Sequence, residues 1–226
     1  MPVNVIGFMA ALSVALVTIA AMPASALASC TIEGVPQASV VLDIDPTHTD
    51  TTRSFDQLTS IPNDTRLGLT AGHMVGGLSV GDISLQSQIE FGNTVNFFSG
   101  DTCLWVQGLV VRISLAPVIY LARELRRGTC RYRTLLEHEQ RHVRADRRVL
   151  EAYKDRIETQ LGLAVLDMGA TGPVPIAFAA QVQRELSIEV EEALNLAIAE
   201  SAEARDKAQQ AIDTPEEYAR LSAACG

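Results

Sequence analysis

Hydrophobic and polar positions follow one period in the first half of the chain and another in the second. From Ser39 to about Ile113, short apolar runs and segments of alternating polarity are separated by turn-forming residues such as Pro62-Asn63-Asp64. Alternation with a period of two, interrupted by frequent turns, is typical of β-strands. The clearest predicted strands lie at Val40–Ile44, Ile83–Ser87, Leu104–Ser114 and Val118–Ala122, the last two joined by a turn at Ala116-Pro117.

Beyond Gly128 the apolar residues recur at the spacing of an α-helix. One apolar position every seven residues predicts a helix from about Thr134 to Leu161, with Thr134 and Glu137 forming a capping box. A second long helix, rich in Ala, Glu and Gln, is predicted from about Phe178 to Ala211. A short final helix should begin after Thr214, where a capping residue is followed by Pro and two acids. The seven-residue repeat consists of Leu136, Val143, Leu150 and Ile157.

Strands followed by helices predict an α+β fold. We expect one domain over 29–226, with a β-rich part over 29–127 and a helical part over 128–226. Its length allows a well-buried core.

The first 28 residues contain no charged side chain. Val5–Met22 is apolar, and Ala26-Leu27-Ala28 has the small residues of an export-signal cleavage site. Residues 1–28 are therefore predicted to be a signal peptide and the mature chain to be periplasmic or secreted. Two alternatives would attach the chain to a membrane: the apolar run is long enough to serve as an uncleaved anchor, and Leu27–Cys30 resembles the motif before the acylated cysteine of bacterial lipoproteins.

Cysteine usage agrees with export. The chain has four cysteines, an even number, and an oxidising compartment favours two disulfides. The pairing we favour is Cys103 with Cys130 and Cys30 with Cys225. A zinc site built from cysteines is not expected, because no two of them lie at the short spacing that such sites use.

The charge distribution excludes one class of function and leaves another open. A formal net charge of −9 argues against a nucleic-acid-binding protein. Nine of the 18 basic residues lie between Arg123 and Arg148, whereas 14 acids and six bases follow from Glu151 onwards. These two segments either pair with each other or leave a basic docking surface. Arg141 and Arg144 suit a carboxylate or a peptide C-terminus, although solvated arginines on a helix surface are more common.

The clearest chemistry lies in an HExxH motif within the first long helix, at His138, Glu139 and His142. Residues four apart lie about one turn apart, so both imidazoles project from one face and can bind one ion. Glu139 lies about 100° further round, within reach of a water at the open position of a zinc ion. Zinc lowers the pKa of that water towards neutrality, so that hydroxide can attack a carbonyl. The sequence therefore predicts a Zn²⁺ cofactor, two histidine ligands and Glu139 as catalytic base.

Helix geometry constrains the surroundings of this motif. Relative to Leu136, the two histidines lie about 200° and 240° round the helix, so they should face a cleft or a covering element. Asp146 continues the spacing of four, but it lies about 9 Å along the axis from a metal held midway between the histidines. We expect it either to accept the free ring N–H of His142 or to pair with a neighbouring arginine on a solvated face.

The third metal ligand must come from elsewhere in the chain. In many HExxH enzymes it is a Glu, Asp or His on a later helix. The sequence does not choose among the candidates, which are Glu189, Glu191, Glu192, Glu200, Glu203, Asp206, Asp213, His73 and His48.

Several segments resemble bacterial secreted proteins described as zinc-dependent proteases. They are Pro117–Glu124, Gly128–Tyr132, His138–Val143 and Asp213–Tyr218, followed by a last cysteine. The resemblance covers about Leu104 to Cys225 and implies a zincin-like fold, metal-ligand roles for His138 and His142, and the role of base for Glu139.

The leading hypothesis is an exported zinc metallohydrolase that acts on a peptide or protein. Contact with a membrane is expected only if the N-terminal segment stays uncleaved or Cys30 is acylated. Two alternatives remain open: a non-catalytic metal-binding envelope protein, and a protein-interaction module in which the histidines are incidental.

Overall fold

The computed structural model describes residues 30–61 and 74–225, and the predicted signal peptide lies outside these ranges. Strands and helices are both abundant, which confirms a mixed α and β fold. The strands are β1 Gln37–Ile44, β2 His48–Asp50, β3 Gly77–Asn96, β4 Asp101–Leu121 and β5 Ala170–Pro175. The helices are α1 Phe55–Thr59, α2 Cys130–Met168, α3 Ala179–Gln210 and α4 Pro215–Ala223, with a 3₁₀ turn at Ile176–Phe178.

The sheet is organised around β4. Strand β3 pairs antiparallel along one edge of β4, while β5, β1 and β2 follow one another along the other edge, with β5 antiparallel and the other two parallel. The predicted turn at Ala116-Pro117 is wrong, because β4 continues through both residues. Pro117 falls between Leu115, where pairing with β1 ends, and Val118, where pairing with β2 begins. On that edge its missing N–H therefore costs no ladder hydrogen bond.

Helices α2 and α3 cover one face of this sheet and form the main core with it. Alternate residues of β4 from Leu109 to Leu121 are buried, as expected for a strand with one covered face. The predicted repeat on α2 is largely confirmed, since Val143, Leu150 and Ile157 are buried and Leu136 is partly buried. Apolar residues of α3 spaced four apart complete the core: Val182, Leu186, Val190 and Leu194.

Helix α2 begins earlier than the sequence predicts. Its N-cap is Thr129, whose hydroxyl accepts the N–H of Tyr132, and Gly128 before it has a φ of 81°. Thr134, the predicted cap, therefore lies inside the helix. A glycine at positive φ followed by a β-region threonine supplies the cap without a capping box.

The two disulfides are confirmed, but their predicted pairing is wrong. Cys30 pairs with Cys103, and Cys130 pairs with Cys225. The parallel register of β1 and β4 explains the first pair, because it sets Gln37 beside Gly108 and leads the preceding chain back towards Cys103. The sulfur of Cys30 is therefore engaged and not free for acylation. Two disulfides indicate an oxidising, exported environment.

None of the helices in the described ranges combines the length and apolar character that crossing a bilayer requires.

Candidate metal centre

The two histidines of the HExxH motif lie on one face of α2 and are almost completely buried. Their Nε2 atoms are 3.3 Å apart. The covering element expected from helix geometry is the turn between α3 and α4 together with α4 itself, because Asp213 and Glu217 both contact the imidazoles.

Asp213 completes a group of three donor residues. Its Oδ1 lies 3.2 Å from Nε2 of His138 and 3.1 Å from Nε2 of His142. The local sequence holds it there, because Thr214 caps α4 by accepting the N–H of Glu217 while Pro215 occupies the first turn. In the described part of the chain this is the one group of three His, Cys, Asp or Glu side chains arranged to hold a metal ion.

The other candidate third ligands that lie within the described residues are not part of this group. His73 lies outside the described residues, and His48 lies on an exposed position of β2. The remaining candidates lie on α3: Glu189, Glu191, Glu192, Glu200, Glu203 and Asp206.

The spacing of the three donor atoms fits a metal ion. Ligand atoms about 2.0–2.1 Å from a tetrahedral zinc lie about 3.3–3.4 Å apart, close to the 3.1–3.3 Å separations seen here. Two imidazoles and one carboxylate are also a donor set that zinc and several other divalent ions accept. The group can therefore hold a metal ion, and its geometry alone leaves the identity of that ion open.

The outer nitrogens of both rings have oxygen acceptors. Nδ1 of His138 lies 3.1 Å from Oε1 of Glu217, and Nδ1 of His142 is hydrogen-bonded to Oε1 of Gln209. If each neutral imidazole donates from Nδ1, both Nε2 lone pairs face the carboxylate of Asp213. Three acceptor atoms then converge on one point, and a cation between them removes the repulsion.

Asp146 is buried but does not contact His142 directly, contrary to the first of its two expected roles. Gln209 lies between them, because its Nε2 donates both to Asp146 Oδ1 and to the backbone oxygen of His142. Asp146 also forms a two-point pair with Arg205, at 2.8 and 3.1 Å. Since Asp146 lies one turn beyond His142 on α2, the longer amide side chain is needed to span the gap. The carboxylate therefore orients His142 through Gln209.

Glu139 is buried between α2 and β3, with 5% of its surface exposed. A Cβ on Gly77 would lie 2.6 Å from Glu139 Oε1, so β3 approaches this carboxyl group as closely as a glycine permits. The backbone of Ser79 also hydrogen-bonds to it. Burial raises the pKa of Glu139, and the positive character of the two nearby histidines offsets part of that rise. A carboxyl group with a raised pKa suits proton transfer near neutral pH.

The electrostatics of the cluster favour a cation at its centre. Burial alone would raise the pKa of Asp213, but hydrogen bonds from His138 and His142 hold it well below its usual range. Burial likewise opposes protonation of His142, yet the Asp213 carboxylate outweighs it and raises the pKa of that imidazole. The same carboxylate therefore favours a positive charge at this point, whether a proton on His142 or a metal ion supplies it.

Two further groups surround the acidic side chains. Arg220 and Arg141 donate to Glu217, and hydrogen bonding from Arg220 above all holds the pKa of that carboxyl well below its usual range. The hydroxyl of Tyr218 donates to Asp213 Oδ1 at 3.2 Å. Burial and the Asp213 charge raise the pKa of Tyr218, so its phenol stays protonated and remains a donor.

Sequence reasoning missed the roles of Gln209, Arg205, Glu217 and Tyr218. Two of them lie in the segment Asp213–Tyr218 that carries part of the family resemblance, and the spacing of four between Asp213 and Glu217 was a usable signal. Nothing in the local sequence distinguishes Gln209 from the other polar residues near the end of α3.

Comparisons with models of known protein families, with curated proteins and with solved structures found no match to this chain.

Proposed function

We propose that this protein is an exported zinc metallohydrolase in which His138, His142 and Asp213 bind the metal and Glu139 is the general base. The convergence of three buried donor atoms, 3.1–3.3 Å apart, is the observation that carries this proposal. The helical HExxH spacing assigns the role of general base to Glu139.

The chemistry assigned to each residue follows from its surroundings. A zinc ion bound to the three donors would supply a Lewis acid and bring the pKa of water towards neutrality. Glu139 then accepts the proton of the attacking water and returns it to the leaving group, which its raised pKa favours. Glu217 and Gln209 hold the two imidazoles with Nε2 directed inwards, so the ligands do not reorganise when the metal binds.

We assign a peptide as the substrate class on the resemblance to secreted zinc-dependent proteases. The two disulfides add support, because they suit a protein that works outside the cytoplasm.

The test begins with metal content. Plasma mass spectrometry of protein purified without chelator should find about one zinc per chain, and none in the double variant His138→Ala/His142→Ala. Absence of metal from the wild type, even after incubation with zinc, would overturn the proposal.

The second step separates catalysis from binding. Glu139→Gln should keep its zinc and lose hydrolysis of a fluorogenic peptide library by at least about a hundredfold. Glu137→Gln is the matched control, since it makes the same change at an exposed position two residues away and should leave activity unchanged.

A structural metal site is the second candidate, and the burial of the donors favours it. His138 and His142 are 3% and 6% exposed, and Asp213 and Glu217 cover them from the other side. A closed zinc site that stabilises the fold would show bound metal, a lower melting temperature after chelation, and no hydrolysis in either the wild type or Glu139→Gln. Metal-dependent hydrolysis that Glu139→Gln abolishes would instead exclude a purely structural role.

A further inference from the structure

A second polar site lies on the side of α2 that faces away from the metal donors. A cavity of about 350 Å³ opens between α2 and the segment that leads into β2. Arg147 lies about 180° round the helix from His138, so the two sites are separated by the body of α2. The residues that line this cavity are Thr47, Thr49, Ile119, Gln140, Val143, Arg144 and Arg147.

The lining combines an apolar floor with hydrogen-bond donors. Ile119 and Val143 are buried and form the floor. Above them stand two hydroxyls, one amide and two guanidinium groups, and the lining contains no carboxylate. Such a set of donors beside an apolar surface suits an organic anion.

The guanidinium of Arg147 is held in place by two hydrogen bonds, but not all of its N–H donors have an acceptor among the described residues. Its Nη2 donates to the backbone oxygen of Asp45 at 2.9 Å and to Thr47 Oγ1 at 3.3 Å. Its Nε, in contrast, is buried and has no hydrogen-bond partner among the described residues. Leaving a buried donor of a charged group without an acceptor is unfavourable, so a rotation of this guanidinium that brings Nε to an acceptor in the cavity would be stabilising.

Neither Arg144 nor Arg147 forms an ion pair within the described part of the chain. Other arginines on the same helix behave differently, since Arg141 pairs with Glu217 and Arg156 pairs with Glu200. The basic segment therefore pairs with the acidic C-terminal segment at some positions, whereas at this cavity no carboxylate of the described residues forms an ion pair with Arg144 or Arg147.

We propose that this cavity binds a small organic oxyanion, with its carboxylate or phosphate group on Arg144 and Arg147 and its apolar part on Ile119 and Val143. A planar guanidinium presents two parallel N–H donors to such a group, and the threonine hydroxyls complete its coordination. This site stands apart from the metal centre and does not depend on the proposed hydrolytic function.

Binding is tested on the full exported chain by two-dimensional NMR at constant ionic strength. Titration with propionate and, separately, with inorganic phosphate should give saturable shifts at the backbone amides of Thr47, Thr49 and Gln140. The tighter of the two identifies which anion chemistry the site prefers. If neither anion gave saturable shifts, the proposal would be overturned.

Three variants make the test specific to the site. Arg144→Gln and Arg147→Gln should each weaken binding by about tenfold, while Arg148→Gln, an exposed neighbour outside the lining, should leave it unchanged. Because Arg147 also holds the chain at Asp45 and Thr47, the exposed Arg144 provides the variant that does not disturb the fold. Equal weakening in all three variants would reduce the effect to general attraction by positive charge and contradict a built site.

Discussion

The buried polar groups on the two sides of α2 differ in how completely they are hydrogen-bonded. On the metal side, the imidazoles and Asp146 find partners on α3, α4 and the turn between them. On the opposite side, Arg147 has one buried N–H that finds no acceptor in the described part of the chain. Groups that are already partnered are preorganised to receive one small cation, whereas a group left without an acceptor depends on a ligand from solution. The contrast is the reason why we expect a metal ion on one side and an anion on the other.

Removal of the disulfide between Cys130 and Cys225 should have the largest effect, because it lowers the stability of the fold and also loosens the metal side. This bond joins the start of α2 to the chain just after α4 and so holds Asp213 and Glu217 over the histidines. Cys130→Ser/Cys225→Ser should lower the free energy of unfolding by about 4–5 kcal/mol and weaken zinc binding. Chemical denaturation and a chelator competition assay measure the two effects.

The other disulfide supplies the control. Cys30→Ser/Cys103→Ser opens a loop of similar length, 73 residues against 95. Stability should fall by a comparable amount, while zinc affinity at temperatures where the variant stays folded should not change. If both double variants lost zinc equally, the link between Cys225 and the position of Asp213 would be wrong.

The next largest effect is expected for Asp213→Asn. The change keeps the shape of the side chain but removes the charge and one strong metal ligand. Zinc affinity should fall by about 100- to 1,000-fold, since a structural zinc ion gains several kcal/mol from each ligand. Asp206→Asn is the matched control, because it makes the same change on α3 outside the donor group. Equal affinity for wild type and Asp213→Asn in a chelator competition would remove Asp213 from the site.

These predictions concern residues that the sequence alone did not identify as part of the site. Periodicity identified α2, and the spacing of four brought His138 and His142 together, because both are properties of a single helix. Asp213 stayed one candidate among nine, since its selection depends on how α4 packs against α2, 71 residues away from His142. The disulfide pairing failed for the same reason, as it follows from the parallel register of β1 with β4. Local patterns predicted the elements, and long-range packing decided their neighbours.

Two glutamines, Gln209 on the metal side of α2 and Gln140 on the cavity side, allow a direct comparison of the two sides. Gln209→Ala removes the acceptor of His142 Nδ1 and the link to Asp146. Zinc affinity should fall by about 10- to 100-fold, the usual cost of losing such a partner. Gln140→Ala, which truncates a glutamine on the other side of α2, should leave zinc binding unchanged and lower only the affinity for the anion. A loss of zinc in both variants would mean that the two sites are not separate.

The last comparison is the difference in pH dependence between the two sides. The Asp213 carboxylate overcomes burial and raises the pKa of His142 above its usual 6.5, so zinc must displace a proton as the pH falls. Zinc affinity should therefore decrease from about pH 8 to about pH 6, by up to about tenfold per pH unit for each proton displaced. Propionate binding to the arginines should stay constant over the same range, because a guanidinium remains charged throughout.

The metal-free protein should respond in the opposite sense. Although burial opposes it, the Asp213 carboxylate raises the pKa of His142 above 6.5, and a group with a raised folded-state pKa stabilises the fold at low pH and loses that contribution as the pH rises through the folded pKa. Denaturation of the metal-free chain should thus show lower stability at pH 8 than at pH 6, whereas zinc stabilises the fold most at pH 8. Parallel trends for the two forms would show that proton and metal do not compete for the same three donors.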